Sequence, residues 1–126
     1  MLGGARLTAF VATTDSAQAK TFYQGTLGLR LLNDDQFALV FDSNGTQLRI
    51  QKVDKLQPHP FTVLGWEVSD IRRAISALGK AGVVFERYDF LQQDDLGVWK
   101  APGGTKVAWF KDPDANLLSL AESGAA

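Results

Sequence analysis

Residues 110–118 read Phe-Lys-Asp-Pro-Asp-Ala-Asn-Leu-Leu, and the fold follows from this stretch together with a counterpart earlier in the chain. Asp112-Pro113-Asp114-Ala115 is a turn sequence flanked by apolar runs, which predicts a β-hairpin. Asp42-Ser43-Asn44-Gly45 is a second turn sequence in the same setting. The chain is therefore expected to contain two hairpins that occupy corresponding places in two similar halves.

Each hairpin is preceded by a predicted strand and a predicted helix. In the first half, residues 6–12 are rich in strand formers and lead into a helix over 15–26 that begins at the capping residue Asp15. In the second half, a strand over 61–68 leads into a helix that begins at Asp70. The spacing of these features is the same in both halves.

Further strands complete the order β-α-β-β-β in each half. They are predicted at 29–32, 37–41 and 46–51, and again at 83–87, 105–111 and 116–120, with residues 88–102 mostly loop. One helix covers only one face of a sheet, so each half leaves the other face uncovered. We therefore predict an α+β fold in which two βαβββ modules form a curved mixed sheet around a cleft. The first module spans 5–52, the connector 53–60 and the second module 61–121, within one domain of residues 1–126.

Composition restricts the possible functions. The chain has 126 residues and is 45% hydrophobic, which is enough for one domain with its own core. Its 13 basic and 14 acidic residues are spread without runs, so we expect no nucleic-acid or membrane partner. With no cysteine there are no disulfides, thiolate metal sites or thiol nucleophiles. No apolar leader segment is visible, and we expect a cytoplasmic protein.

Across nearly its whole length the chain resembles the vicinal oxygen chelate superfamily, which includes glyoxalase I, bleomycin-resistance proteins and dioxygenases. The best matches are 15–29, with Phe22-Tyr23 and Leu27-Gly28-Leu29, and the stretch 110–118. The resemblance implies the glyoxalase/bleomycin resistance-like fold and a small-molecule ligand in the cleft. Its bleomycin-resistance branch also implies a homodimer.

Members of this family that catalyse reactions usually hold a divalent metal through His, Gln or Glu on the first and fourth strands of each half. In this sequence the corresponding positions are Thr8, Arg49, Val63 and Ser119. Such side chains do not form a transition-metal site, and an arginine there would repel a cation. We therefore expect no metal and no cofactor, and metal-dependent glyoxalase or dioxygenase activity is disfavoured.

The same positions, with two aromatic residues, form the predicted ligand site. Its members are Thr8, Phe10, Arg49, Val63, Trp99 and Ser119. Alternation along its strand directs Arg49 into the cleft, where a guanidinium could hold a carboxylate or phosphate. The alternative is a structural ion pair with Glu67. Trp99 follows the polar loop 91–97 and is expected to form a wall of the site.

Two functions follow as competing hypotheses. The first is a metal-free small-molecule-binding protein whose cleft suits an anionic or amphipathic organic ligand. The second is a lyase or isomerase in which Arg49 stabilises an oxyanion and Glu67, Asp95 or Tyr88 moves a proton. A third, weaker possibility is an interaction module whose cleft is filled by its own side chains.

Two other features are expected to be structural. The only histidine, His59, lies between two prolines and is predicted to be an exposed linker residue. The string Asp112-x-Asp114-x-Asn116 resembles the start of a calcium loop, but the twelfth position is Ser123 and not the required Glu. A tight turn is the better interpretation.

Overall fold

The computed structural model describes residues 1–124, which form two compact units divided between Gln57 and Pro58. Both units have the order strand, helix and three further strands, so the predicted α+β architecture of two βαβββ modules is confirmed. The division lies within the predicted connector 53–60. No helix in the described part of the chain has the length and apolar character needed to cross a bilayer.

The first unit contains a mixed four-stranded sheet. Its elements are a 3-10 turn (Leu2–Gly4), β1 (Thr8–Thr13), α1 (Ser16–Lys20) with a π-helical continuation (Thr21–Thr26), β2 (Arg30–Asp34), β3 (Ala38–Ser43) and β4 (Thr46–Lys52). The strand order is β1-β4-β3-β2, with β1 parallel to β4 and the other pairs antiparallel. Tyr23 of the helical segment packs on Phe41 of β3, with ring centroids 6.0 Å apart, and both side chains are fully buried.

The second unit repeats this plan. Its elements are β5 (Leu64–Glu67), α2 (Ile71–Lys80), β6 (Trp99–Lys100), β7 (Lys106–Lys111) and β8 (Leu117–Glu122). The order is β5-β8-β7-β6, with β5 parallel to β8. Ile71 and Ile75 of α2 are buried, and the Ile71 N–H donates to the Glu122 carboxylate of β8 at 2.9 Å. This bond shows that α2 covers the sheet face to which Glu122 belongs.

Local sequence signals explain the matching elements. Asp15 and Asp70 each accept a hydrogen bond at 3.1 Å from the backbone N–H three residues later, as expected of N-caps. In the second hairpin, Asp112 is buried and accepts bonds from the N–H groups of Asp114 and Asn116, while Ala115 has a positive φ of 68°. The predicted tight turn is therefore confirmed.

One predicted strand is wrong. Residues 83–87 do not form a strand, because only Phe85 pairs with β7, through a single bridge to Phe110. The strand beside β7 is instead Trp99–Lys100, which lies within the predicted loop 88–102. The chain leaves the sheet after Glu86, whose N–H still bonds to the Trp109 carbonyl, and returns at Trp99.

Candidate ligand-binding site

Each sheet has a far face, defined here as the face that points away from the helix of its own unit. Strand pairing gives corresponding positions on the two far faces: Phe10 pairs with Arg49 in the first unit, and Gly65 pairs with Ser119 in the second. A Cβ added at Gly65 would lie 2.9 Å from the Ser119 hydroxyl oxygen, so glycine allows this close pairing. The internal repeat therefore holds at the level of single residues.

The predicted family metal positions lie at these places but offer a poor set of ligands. Thr8 begins β1 two residues before Phe10, and Val63 directly precedes β5, with its N–H bonded to the Leu117 carbonyl at 2.9 Å. Threonine, valine, serine and arginine do not match the imidazole and carboxylate ligands of transition metals. Within residues 1–124 no group of three or more His, Cys, Asp or Glu side chains is placed to hold a metal ion.

Arg49 is half-buried on the far face of the first sheet, between Phe10 of β1 and Val40 of β3. Its charge helps to lower the pKa of Asp35, although the backbone N–H groups of Phe37 and Ala38 lower that pKa more. Arg49 forms no ion pair with any residue of the described chain. Its guanidinium donors are therefore not used in an ion pair within residues 1–124.

An aromatic pocket occupies the far face of the second unit. Its ring contacts run from Trp99 to Trp109 (6.1 Å between centroids), from Trp109 to Tyr88 (5.6 Å, edge-on) and from Tyr88 to Phe90 (5.5 Å). The cavity has a volume of about 350 Å³, within the range of small-molecule sites. Its lining residues are Pro60, Phe61, Thr62, Tyr88, Phe90, Leu91, Trp99, Trp109 and Leu117.

Strand alternation places the two tryptophans in this pocket. Trp99 pairs with Val107, and Trp109 pairs with Ser119, so all four share the far face. Phe110, next along β7, is fully buried on the opposite face. The pocket wall is therefore a direct consequence of the sheet register.

The loop 88–98 also lines the pocket, and hydrogen bonds from the side chain of Gln93 hold this loop in place. The Gln93 side-chain oxygen accepts from the Tyr88 N–H at 2.8 Å, and its nitrogen donates to the carbonyls of Glu86 and Gly97 at 3.0 and 2.8 Å. Its backbone also bridges to Trp99. One half-buried amide thus supplies the bonds that a neighbouring strand would have made, and it fixes Tyr88 relative to Trp99.

Two arginines hold the loop from its other side. Arg72 of α2 donates to the Asp94 carboxylate at 2.7 Å and to Asp95 at 3.3 Å. Arg87 donates to the backbone carbonyls of Asp94 and Asp95 at 2.6 and 2.7 Å. The loop is therefore bound to α2 through Arg72 and to the segment directly before it through Arg87.

The three proposed proton-transfer residues lie in different surroundings. Tyr88 lines the pocket, and burial, together with the nearby Glu86 charge, raises the pKa of its hydroxyl. Asp95 pairs with Arg72 and does not line the pocket. Glu67 lies on β5 and accepts a hydrogen bond from the Ser123 hydroxyl at 2.6 Å. No carboxylate is among the residues that line the aromatic pocket.

The predicted ligand residues are divided between the two units. Thr8, Phe10 and Arg49 belong to the first unit, and in the second unit only Trp99 lines the aromatic pocket, with Ser119 next to it through Trp109. Sequence reasoning missed the roles of Gln93 and Trp109. A usable signal existed for Trp109, because it lies on an alternating strand shortly before the turn sequence 112–115.

His59 is exposed and stacks on Phe61, with ring centroids 4.9 Å apart and planes 12° from parallel. The exposed position of His59 agrees with the prediction, although its ring contacts Phe61, which lines the aromatic pocket.

Residues 6–120 match the model of the Glyoxalase/Bleomycin resistance protein/Dioxygenase superfamily. The chain belongs to this superfamily. The match covers both βαβββ units, so the fold and the family agree over most of the chain. The superfamily resemblance noted in the sequence is thereby confirmed, while no curated protein gives a significant match.

Solved structures with different functions share this fold. A superfamily member from Sphaerobacter thermophilus is 25% identical, with a TM-score of 0.76 over 98% of this chain and 100% of that one. A lactoylglutathione lyase from Agrobacterium tumefaciens is 14% identical, with a TM-score of 0.74 over 97% and 96%. The fosfomycin resistance protein FosX from Listeria monocytogenes is 15% identical, with a TM-score of 0.75 over 98% and 95%. At 14% and 15% identity, the last two show the fold alone.

Proposed function

We propose that this superfamily member binds a small organic molecule without a metal, and that the ligand combines a flat apolar body with an anionic group. The aromatic pocket carries this proposal. Five of its nine lining residues are aromatic, and rings arranged edge-on and tilted offer both faces and edges for stacking. The polar groups in the wall, such as the Tyr88 hydroxyl and the indole N–H groups, can orient a ligand without making the pocket hydrophilic.

In the first unit, we propose Arg49 as a residue that binds an anionic group. Arg49 is half-buried and forms no ion pair in the described chain. Asp35 is the acid whose pKa Arg49 helps to lower, and its oxygens already accept hydrogen bonds from Asn33, Phe37 and Ala38. A guanidinium in that state is well suited to bidentate binding of a carboxylate or phosphate. Thr8 and Phe10 beside it, and Val63 and Ser119 in the second unit, remain predicted ligand-binding residues.

Metal-free binding is proposed because the residues at the family's metal positions do not suit a metal. No chemistry through a metal is assigned to this chain. Resistance by sequestration, as in the bleomycin-resistance branch, is a function that needs only a pocket.

An acid–base enzyme of the lyase or isomerase type is the competing function. Only Tyr88 of its three candidate residues lines the aromatic pocket, and a raised pKa keeps that hydroxyl protonated at neutral pH. It can donate a hydrogen bond or a proton, but it does not serve as a base. Binding without turnover is therefore the better-supported function.

We also propose that two copies pair in the cytoplasm. Phe10 and Phe90 are 53% and 82% exposed as residues, and a partner chain or a ligand would cover this apolar surface. Sedimentation equilibrium tests this part directly, with a dimer expected and a monomer against it.

Titration with anilinonaphthalene sulfonate, an aromatic anion, tests the pocket. We expect the probe to quench tryptophan fluorescence in the unmodified protein. Trp99→Ala should weaken binding by about tenfold or more, because it removes both the buried area of the ring and its stacking, which alone contributes roughly 0.5–1.5 kcal/mol. Trp66→Phe is the matched control, because Trp66 pairs with the buried Leu120 on the opposite face of the sheet. Equal affinity in Trp99→Ala and Trp66→Phe would contradict the proposed site.

A further inference from the structure

A second cavity in the second unit is distinct from the aromatic pocket. It has a volume of about 340 Å³ and is lined by Arg72, Gln92, Gln93, Asp94, Val98, Lys100 and Lys106. Lys100 and Lys106 belong to the sheet face that α2 covers, since Lys106 pairs with Glu122, the residue bonded to the start of α2. Trp99 points to the far face, so the two cavities lie on opposite sides of β6.

The lining of this cavity is cationic in a protein that is almost neutral overall. It carries three cations and one acid, whereas the whole chain has a formal net charge of -1. The acid, Asp94, is already satisfied, because its oxygens accept bonds from Arg72 and from the N–H groups of Leu96 and Val98. Asp94 offsets only one of the three cations, so the lining residues keep a net positive charge.

Two of these cations directly oppose each other. Lys100 and Lys106 are cross-strand partners in the antiparallel β6–β7 pair. Like charges at such positions lie roughly 5 Å apart at Cβ and destabilise the pairing. Lys106 has a carboxylate on its other side, Glu122, at 3.7 Å, but Lys100 forms no ion pair within the described residues. An anion placed between the two ammonium groups would remove the repulsion.

We propose that this cavity is a second binding site that takes a compact oxyanion with two or more negative charges, of the phosphate or polycarboxylate type. Lys100 and Lys106 hold the charge, and the guanidinium of Arg72 offers the N–H groups that Asp94 and Asp95 leave unused. The volume suits an anion of a few linked groups, such as a diphosphate. This site is separate from the proposed aromatic pocket and does not depend on it.

Thermal unfolding and calorimetric titration with pyrophosphate at constant ionic strength test the site. We expect pyrophosphate to raise the melting temperature of the unmodified protein, and Lys100→Gln to weaken its binding by about tenfold or more, as expected when a charge-assisted hydrogen bond is lost. Lys80→Gln, which removes an equal charge from the last turn of α2, is the matched control and should leave binding unchanged. Without pyrophosphate, Lys100→Gln should be at least as stable as the unmodified protein, because the repulsion is gone.

Three results would overturn the proposal: no shift with the unmodified protein, equal shifts in Lys100→Gln and Lys80→Gln, or displacement of anilinonaphthalene sulfonate by pyrophosphate. The last would place both ligands in one site, whereas simultaneous binding supports two. The same titration with citrate in place of pyrophosphate distinguishes a polycarboxylate ligand from a phosphate ligand. Tighter binding of either one supports the site and assigns the ligand class.

Discussion

At the scale of single residues, Gln93 is the side chain on which the pocket wall depends most. Its amide makes one accepted and two donated hydrogen bonds to the backbone of the loop. Gln93→Glu keeps the shape and the acceptor for the Tyr88 N–H, but it places carboxylate oxygen against the carbonyls of Glu86 and Gly97. We expect this variant to lose about 1–3 kcal/mol of unfolding free energy at pH 7.

The loss should shrink in acid. Two carbonyls beside the introduced carboxyl raise its pKa in the folded protein, so its protonated form is favoured there. A raised pKa gives stability that is present below the unfolded value of about 4.3 and lost as the pH rises through the folded pKa. Urea unfolding at pH 5 and 7 checks this, with Gln92→Glu on the neighbouring residue as control. A deficit that does not change with pH would contradict the assigned bonds.

Residue-level prediction from the sequence worked where the signal was local. Asp15 and Asp70 were recognised as caps, and Arg49 was placed on the far face by simple alternation, because caps and alternation depend on a few neighbours. Gln93 carried no such signal. The carbonyls to which Gln93 donates belong to Glu86, before it in the chain, and Gly97, after it. Nothing in the residue spacing shows that these carbonyls accept hydrogen bonds from a side-chain amide.

At the scale of elements, the loop 88–98 is held by charge as well as by Gln93. Burial raises the pKa of the Asp94 carboxyl, but backbone N–H groups and two arginines outweigh that effect, and the pKa lies below its ordinary value. A lowered pKa gives stability that is present above the unfolded value, about 3.9, and lost as the pH falls through the folded pKa.

We therefore expect Asp94→Asn to be less stable than the unmodified protein at pH 7, with the difference closing below about pH 4. Denaturant unfolding between pH 7 and pH 3 measures it. Asp89→Asn, an exposed change in the same loop, should show no such dependence. Parallel pH profiles for the unmodified protein and Asp94→Asn would mean that the Arg72 contact does not hold the loop.

The strand that the sequence misplaced borders this loop. Residues 83–87 have the apolar character of a strand, yet they make one bridge at Phe85, and Trp99–Lys100 forms the edge strand instead. A run of two residues is too short to produce an alternating pattern, so periodicity could not identify it. The two hairpins were predictable because their strands are long enough to alternate and have turn residues between them.

At the scale of the whole molecule, the repeat explains the family and the corresponding positions of the predicted ligand residues. Two units with the same order of elements place Arg49 and Ser119 at corresponding pairs, one beside Phe10 and the other beside Gly65. The sequence was enough to predict this plan and the superfamily. The aromatic pocket required coordinates, because Tyr88, Trp99 and Trp109 are brought together by strand register and by a loop with no periodic pattern.

We propose that ligand binding by this chain does not involve a metal. Calorimetric titration of anilinonaphthalene sulfonate into protein treated with a chelator, and into protein supplied with Mn, Ni or Zn, distinguishes metal-free from metal-dependent binding. We predict the same dissociation constant in every case and no stoichiometric metal in the purified protein. A stoichiometric metal, or binding that disappears with the chelator and returns with one of the ions, would contradict metal-free binding.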